Sequence, residues 1–108
     1  MSDLSAKSCK PCKKGTPPLP AADAQKLLGQ LSGWRIADGK RLEKEYKFPN
    51  FKGALAFTNA VGEIAEEEGH HPDIQLGWGR VALVIWTHAA NGLTENDFIL
   101  AAKADEAL

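Results

Sequence analysis

Residues 66–88 read Glu66-Glu67-Glu68-Gly69-His70-His71-Pro72-Asp73-Ile74-Gln75-Leu76-Gly77-Trp78-Gly79-Arg80-Val81-Ala82-Leu83-Val84-Ile85-Trp86-Thr87-His88. The stretch holds a helix end, two strands and all three histidines of the chain. Its acidic run closes a segment from Phe51 to about Glu68 in which Ala54, Phe57, Val61, Ile64 and Ala65 recur with helical period. Gly69 stands just past that helix, where a left-handed residue commonly ends one. Ile74, Leu76 and Trp78 then alternate with polar or small residues as a third strand, and Gly77 and Gly79 mark a tight connection or a bulge. Val81 to Thr87 is β-branched and aromatic, the composition of a buried fourth strand. Strand alternation puts His88 on the face of Ala82, Val84 and Trp86.

Working outward, Pro49 ends a strand from Leu42 to Phe48, with Leu42, Tyr46 and Phe48 on one face, and Asn50 is a good N-cap for the central helix. Trp34-Arg35-Ile36 begins an earlier strand, and Asp38-Gly39 is a hairpin signal between the two. Ala24, Leu27, Leu28 and Leu31 form one apolar helix stripe that starts near Ala21 and stops at Ser32-Gly33. Beyond His88, Gly92-Leu93 turns the chain and Thr94 caps a last helix to about Ala104. The order α-β-β-α-β-β-α predicts a single α+β domain: a four-stranded antiparallel sheet with three helices on one face. Residues 21–108 make that domain. Residues 1–20, with Lys7, Lys10, Lys13 and Lys14 and then Pro17, Pro18 and Pro20, are expected to be a flexible tail.

A chain of 108 residues supports one core. A formal net charge of −1 provides no global basic field, which argues against a phosphate-backbone binder. The longest uncharged apolar run, Val81 to Trp86, is far too short to span a membrane. The N-terminal lysines precede no apolar core of a secretory signal, so a cytoplasmic protein without nucleic-acid or membrane partners is expected. Cys9-Lys10-Pro11-Cys12 is half of a zinc site or a redox pair. Neither further ligands nor a strand-then-helix context accompanies it, so two reduced thiols in the tail is the favoured reading over a zinc or redox protein.

The histidines and their neighbouring carboxylates are the candidate site. Imidazole is suited to moving protons near neutral pH. Each residue also has a plainer role: His70-His71-Pro72 as a solvated turn, His88 as a surface histidine, Glu66 as a helix charge. Glu66 precedes His70 by about one helical turn, so its carboxylate reaches the helix end. His70 and His71 are adjacent and point to opposite sides of an extended chain, which argues against a shared three-histidine metal site. His88 sits at a strand end, where rigid scaffolds present reactive groups. Asp97 follows Thr94 by three, the spacing of a capping box; its second oxygen leaves it free to orient a histidine as well. Residues 66–97 contain no cysteine, serine or lysine to act as a covalent nucleophile. Histidines with carboxylates and no metal suit an elimination, hydration or tautomerisation of a small polar molecule.

Glu66-x-x-x-His70-His71-Pro72, a strand pair, Thr87-His88 and Gly92-Leu93-Thr94-x-x-Asp97 together resemble the pterin-4a-carbinolamine dehydratases. The resemblance spans residues 19–106, includes Gly33-Trp34 and Asn50-Phe51, and extends to a Cys9–Pro20 stretch similar to the leader of bacterial members. It implies a hydro-lyase that removes water from 4a-hydroxytetrahydropterin to give quinonoid dihydropterin. That reaction recycles the cofactor of aromatic amino-acid hydroxylases, phenylalanine hydroxylation included. The resemblance also implies no metal, no bound cofactor, and a homodimer or homotetramer. His70 and His88 would flank the pterin as acid and base, and His71 would help to position it. Glu66 and Asp97 would tune the imidazoles, and Gly69, Trp86, Thr87 and Ala89 would complete the substrate-binding surface. Ile74 stands where the family often has an aromatic residue, and Ala90 where it often has cysteine or a small residue. The competing reading is a non-catalytic dimerisation or assembly module on the same fold.

Overall fold

The computed structural model describes residues 4–11 and 13–108. Cys12, half of the cysteine pair singled out above, lies outside the described residues. Strands β1 (Arg35–Ala37) and β2 (Arg41–Lys47) form a hairpin. Its turn needs two residues at positive φ, and Asp38 (φ 54°) and Gly39 (φ 68°) are residue types that tolerate this. Helix α2 (Phe51–Glu68) follows, then the hairpin of β3 (Asp73–Gly77) and β4 (Arg80–Ile85). β4 inserts between β2 and β3, giving an antiparallel sheet of order β1-β2-β4-β3.

The register pairs Leu42 with Ile85, Tyr46 with Val81 and Ile74 with Leu83, so one face of the sheet is apolar. Helices α1 (Ala21–Leu28), α2 and α3 (Glu95–Glu106) cover that face. Ala54, Phe57, Val61 and Ala65 of α2 are buried against it, as their spacing predicts. The ends of α2 obey local rules: Asn50 Oδ1 accepts from Gly53 N at 2.7 Å, and Gly69 adopts φ 66°.

Several boundaries differ from expectation. α1 ends at Leu28, after which Gln30 N and Leu31 N make the tighter bonds to Leu27 O and Leu28 O; Leu31 lies beyond the helix yet still packs on the core. β3 ends at Gly77, which pairs directly with Arg80, so Trp78 and Gly79 form the two-residue turn and Trp78 is exposed. Phe48 N donates to Gly79 O at 2.8 Å, and a Cβ at Gly79 would lie 2.8 Å from Phe48 O. Only glycine allows that approach. α3 is buried on nearly every side, from Asn96 to Ala102 and at Ala104, because it is packed between α1, α2 and the sheet.

The described residues before Ala21, expected to belong to a flexible tail, are in neither helix nor strand, yet several of them lie against the domain. Leu4 is buried in the core. Lys103 Nζ donates to Ser5 O at 3.0 Å, and Lys7 pairs with Glu95 at 3.1 Å. Gly15 N donates to Ala89 O and Leu19 N to Leu93 O. An apolar anchor and these long-range partners hold the segment, and neither is visible from its local composition. Among the described residues, no helix is long and apolar enough to cross a membrane.

Candidate active site

The first turn of α3 organises the site. Asp97 is fully buried, and a buried carboxylate must have its oxygens satisfied. Its Oδ2 accepts from Thr94 N and from Thr87 Oγ1, each at 2.8 Å. Thr87 Oγ1 and Thr94 Oγ1 are 2.9 Å apart. Since the Thr87 hydroxyl proton goes to Asp97, Thr94 donates to Thr87. The other oxygen, Oδ1, lies 2.6 Å from His70 Nε2. Asp97 therefore caps α3 with one oxygen and bonds His70 with the other. The bond fixes the proton of a neutral His70 on Nε2 and leaves Nδ1 as the nitrogen available to a ligand.

His70 and His71 diverge as adjacent residues do, each toward a carboxylate on a different helix. The left-handed Gly69 turns the chain, and His70 N returns to Ala65 O at 3.2 Å. His70 thereby points inward to Asp97, with its side chain only 13% exposed. His71 remains 60% exposed and pairs through Nε2 with Glu66 Oε2. Glu66 thus meets His71, five residues on, rather than His70, four residues on.

His88 opens a single 3-10 turn, His88–Ala90, at the exit of β4. The turn is closed by Thr87 N donating to Gly92 O at 2.9 Å and Asn91 N to His88 O at 3.1 Å, with Asn91 at φ 51°. The imidazole packs on Trp86, ring centroids 4.1 Å apart and planes tilted by 42°. Both residues lie past the end of β4, but the extended backbone of Thr87 between them keeps their side chains on one side.

A cavity of about 530 Å³ gathers these elements, within the roughly 300–1,000 Å³ range of small-molecule sites. All three histidines line it, together with Gly69, Trp86, Thr87 and Ala89. Glu66 and Asp97 do not line it; they are bonded to His71 and His70, which do. Cys9, Lys10, Pro11, Glu68 and Asn96 also line the cavity and were not foreseen as site residues. Glu68 reads in sequence as one more helix charge, yet its side chain is only 9% exposed. It accepts from Cys9 N at 2.8 Å and lies 3.6 Å from Lys103 Nζ. Burial, reinforced by the neighbouring Glu68 carboxylate, pushes the Cys9 thiol up to about 12, so it is neutral near pH 7. Among the described residues, no three His, Cys, Asp or Glu side chains converge to hold a metal ion.

Fold and pocket define the class: a small α+β protein with a histidine–carboxylate site at one end of its sheet. The chain belongs to the pterin 4 alpha carbinolamine dehydratase family, whose model matches residues 17–107. It is 50% identical over 105 residues to a Rubrobacter xylanophilus protein assigned by name to pterin-4-alpha-carbinolamine dehydratase, covering 97% of this chain and 98% of the relative. A solved structure described as a transcriptional coactivator/pterin dehydratase from Brucella melitensis superimposes with a TM-score of 0.79 at 31% identity, covering 83% of this chain and 97% of that one. A second, a pterin dehydratase-like protein identified as a RuBisCO assembly factor in the alpha-carboxysome, gives a TM-score of 0.60 at 26% identity, covering 69% and 88%.

Proposed function

We propose that the chain removes water from a 4a-hydroxytetrahydropterin to give the quinonoid dihydropterin, by histidine acid/base catalysis. The observation that carries this reading is the convergence of all three histidines on one cavity, one of them held by a buried carboxylate. In the reaction the 4a-hydroxyl takes up a proton, the C4a–O bond breaks with loss of water, and a ring proton passes to a base. His70 and His88 serve as the acid and base on the two sides of the pterin. Asp97 orients His70, and Trp86 braces His88. His71, paired with Glu66, binds and positions the substrate, and Gly69, Thr87 and Ala89 complete the surface that receives it. The step needs neither metal nor bound cofactor, because positioned imidazoles supply both proton transfers. In the cell this activity returns the pterin cofactor to aromatic amino-acid hydroxylases, phenylalanine hydroxylation among them, in the cytoplasm.

A homodimer or homotetramer is part of the same proposal. β1 and β3 are the two edges of the sheet, and an unpaired edge invites a second copy. The alternative reading, a non-catalytic assembly module, is favoured by the assembly role of the second structural relative. The deciding experiment follows freshly generated 4a-hydroxytetrahydropterin by the rise of quinonoid dihydropterin absorbance, with and without metal-stripped protein. Acceleration supports the dehydratase. No acceleration by folded protein turns the search to a protein partner.

A further inference from the structure

Resting on the function proposed above, we propose that the N-terminal residues Cys9–Pro11 form a substrate-contacting wall of the pterin site, and that Asn96 is the positioning residue that clamps this wall in place. Cys9, Lys10 and Pro11 line the same cavity as His70, His71 and His88, although about sixty residues or more separate them in sequence. The segment is held by a two-way match between the Asn96 amide and one backbone unit. Lys10 N donates to Asn96 Oδ1 at 2.9 Å, and Asn96 Nδ2 donates to Lys10 O at 2.6 Å. Cys9 adds two bonds, from its N to Glu68 Oε1 at 2.8 Å and from its Sγ to Asn96 O at 3.6 Å. Further along, Gly15 N donates to Ala89 O, inside the turn that begins with His88. The segment is therefore tied to both ends of the histidine constellation.

Two consecutive residues of α3 then set two walls of one cavity: Asn96 holds the segment and Asp97 holds His70. Asn96 is only 8% exposed, which is unusual for asparagine in the first turn of a helix, and its two hydrogen bonds to Lys10 help to satisfy the buried amide. The Cys9 thiol stays neutral at working pH, and the segment is assigned no proton transfer. Its contribution is contact with the substrate, and its kinetic signature is in KM rather than kcat.

The test combines kinetics with chemical protection. Asn96→Ala removes both clamp bonds, and Pro11→Gly loosens the wall at an exposed position without touching the core. Each variant is expected to raise KM, Asn96→Ala by about tenfold, with kcat close to that of the parent. In a Cys12→Ser background, saturating 7,8-dihydrobiopterin is expected to slow alkylation of Cys9 severalfold. Unchanged KM in both variants, alkylation indifferent to the pterin, or a fall in kcat at constant KM would each overturn the proposal. Should Asn96→Ala fail to fold, Pro11→Gly and Cys9 protection decide. The parent protein's own dehydration rate tests the underlying function separately; if it is inert, that reading falls and this one with it.

Discussion

His70 Nε2 and Asp97 Oδ1 lie 2.6 Å apart, although 27 residues separate them in the chain. The carboxylate is immobile because its other oxygen is already bonded to Thr94 N and Thr87 Oγ1. Asp97→Asn preserves shape but replaces an acceptor-only group with one that also donates. The rate is expected to fall about 10²-fold or more, with a modest loss of Tm. Asp97→Ala should in addition lose the α3 cap, at a cost of about 1–2 kcal/mol or more. Steady-state kinetics beside thermal melts separate the two effects.

The proposed reaction divides the histidines by role. His70→Ala and His88→Ala should each lose most of the rate while circular dichroism stays native, because neither side chain belongs to the apolar core. His71→Ala should act mainly on KM. Near-normal rates in both His70→Ala and His88→Ala would refute the acid/base assignment.

Asp105 anchors the opposite end of α3 from Asp97. It accepts from Trp34 Nε1 at 3.0 Å, Tyr46 OH at 2.5 Å and Lys44 Nζ at 2.8 Å. Asp105→Ala takes the acceptor from Trp34 Nε1 and Tyr46 OH and leaves Lys44 Nζ with Ser32 O, and should destabilise by about 2–4 kcal/mol. Since this network is separate from the histidine cavity, kcat at permissive temperature should stay unchanged. Urea unfolding with parallel assays tests both halves of the expectation.

Alkaline pH should weaken the fold through two acids, half-buried Cys9 and buried Tyr46. Burial first, then Glu68, raise the Cys9 thiol from 9.0 to about 12. Burial first, then the bond to Asp105, raise the Tyr46 phenol well above its ordinary 10.0. In both the folded state binds its proton more tightly than the unfolded chain. Their stabilisation is therefore complete below pH 9 and declines as pH rises above the unfolded-state values. Unfolding free energy measured between pH 7 and 11 should fall across that window. Cys9→Ser should flatten the part of the decline that begins near pH 9, and Tyr46→Phe the part that begins near pH 10.

Gly69→Ala tests the turn that separates the two histidines. A Cβ there meets no atom within 4 Å, so the cost is that of φ 66° alone, about 1–2 kcal/mol. Relaxation of that strain should shift His70 and His71, and the rate should fall more than stability does.

Much of this protein is legible locally. The Asn50 cap, the Gly69 stop, the Asp38-Gly39 turn and the Thr94–Asp97 box each depend on residues within a few positions of one another. The alternation of Val81, Leu83 and Ile85 likewise declares which sheet face is buried, because the strand period of two is intrinsic to the backbone. Confinement of the histidines to two loci points to a site before any coordinates exist. Element boundaries are less legible: Leu31 at helical spacing and Trp78 at strand spacing both lie beyond the ends of their elements.

The tertiary structure alone decided who meets whom across the chain. It paired Glu66 with His71 rather than His70, because the direction taken after Gly69 depends on where α3 sits. It gave Asp97 a histidine as well as a cap. It also placed Cys9–Pro11 against the cavity, a contact between segments 59 and 86 residues apart that no local pattern encodes. Periodicity and caps are short-range properties of backbone geometry and survive in the bare sequence. Convergence of a site is set by the packing of helices on a sheet, and emerges only once the core has fixed their relative positions.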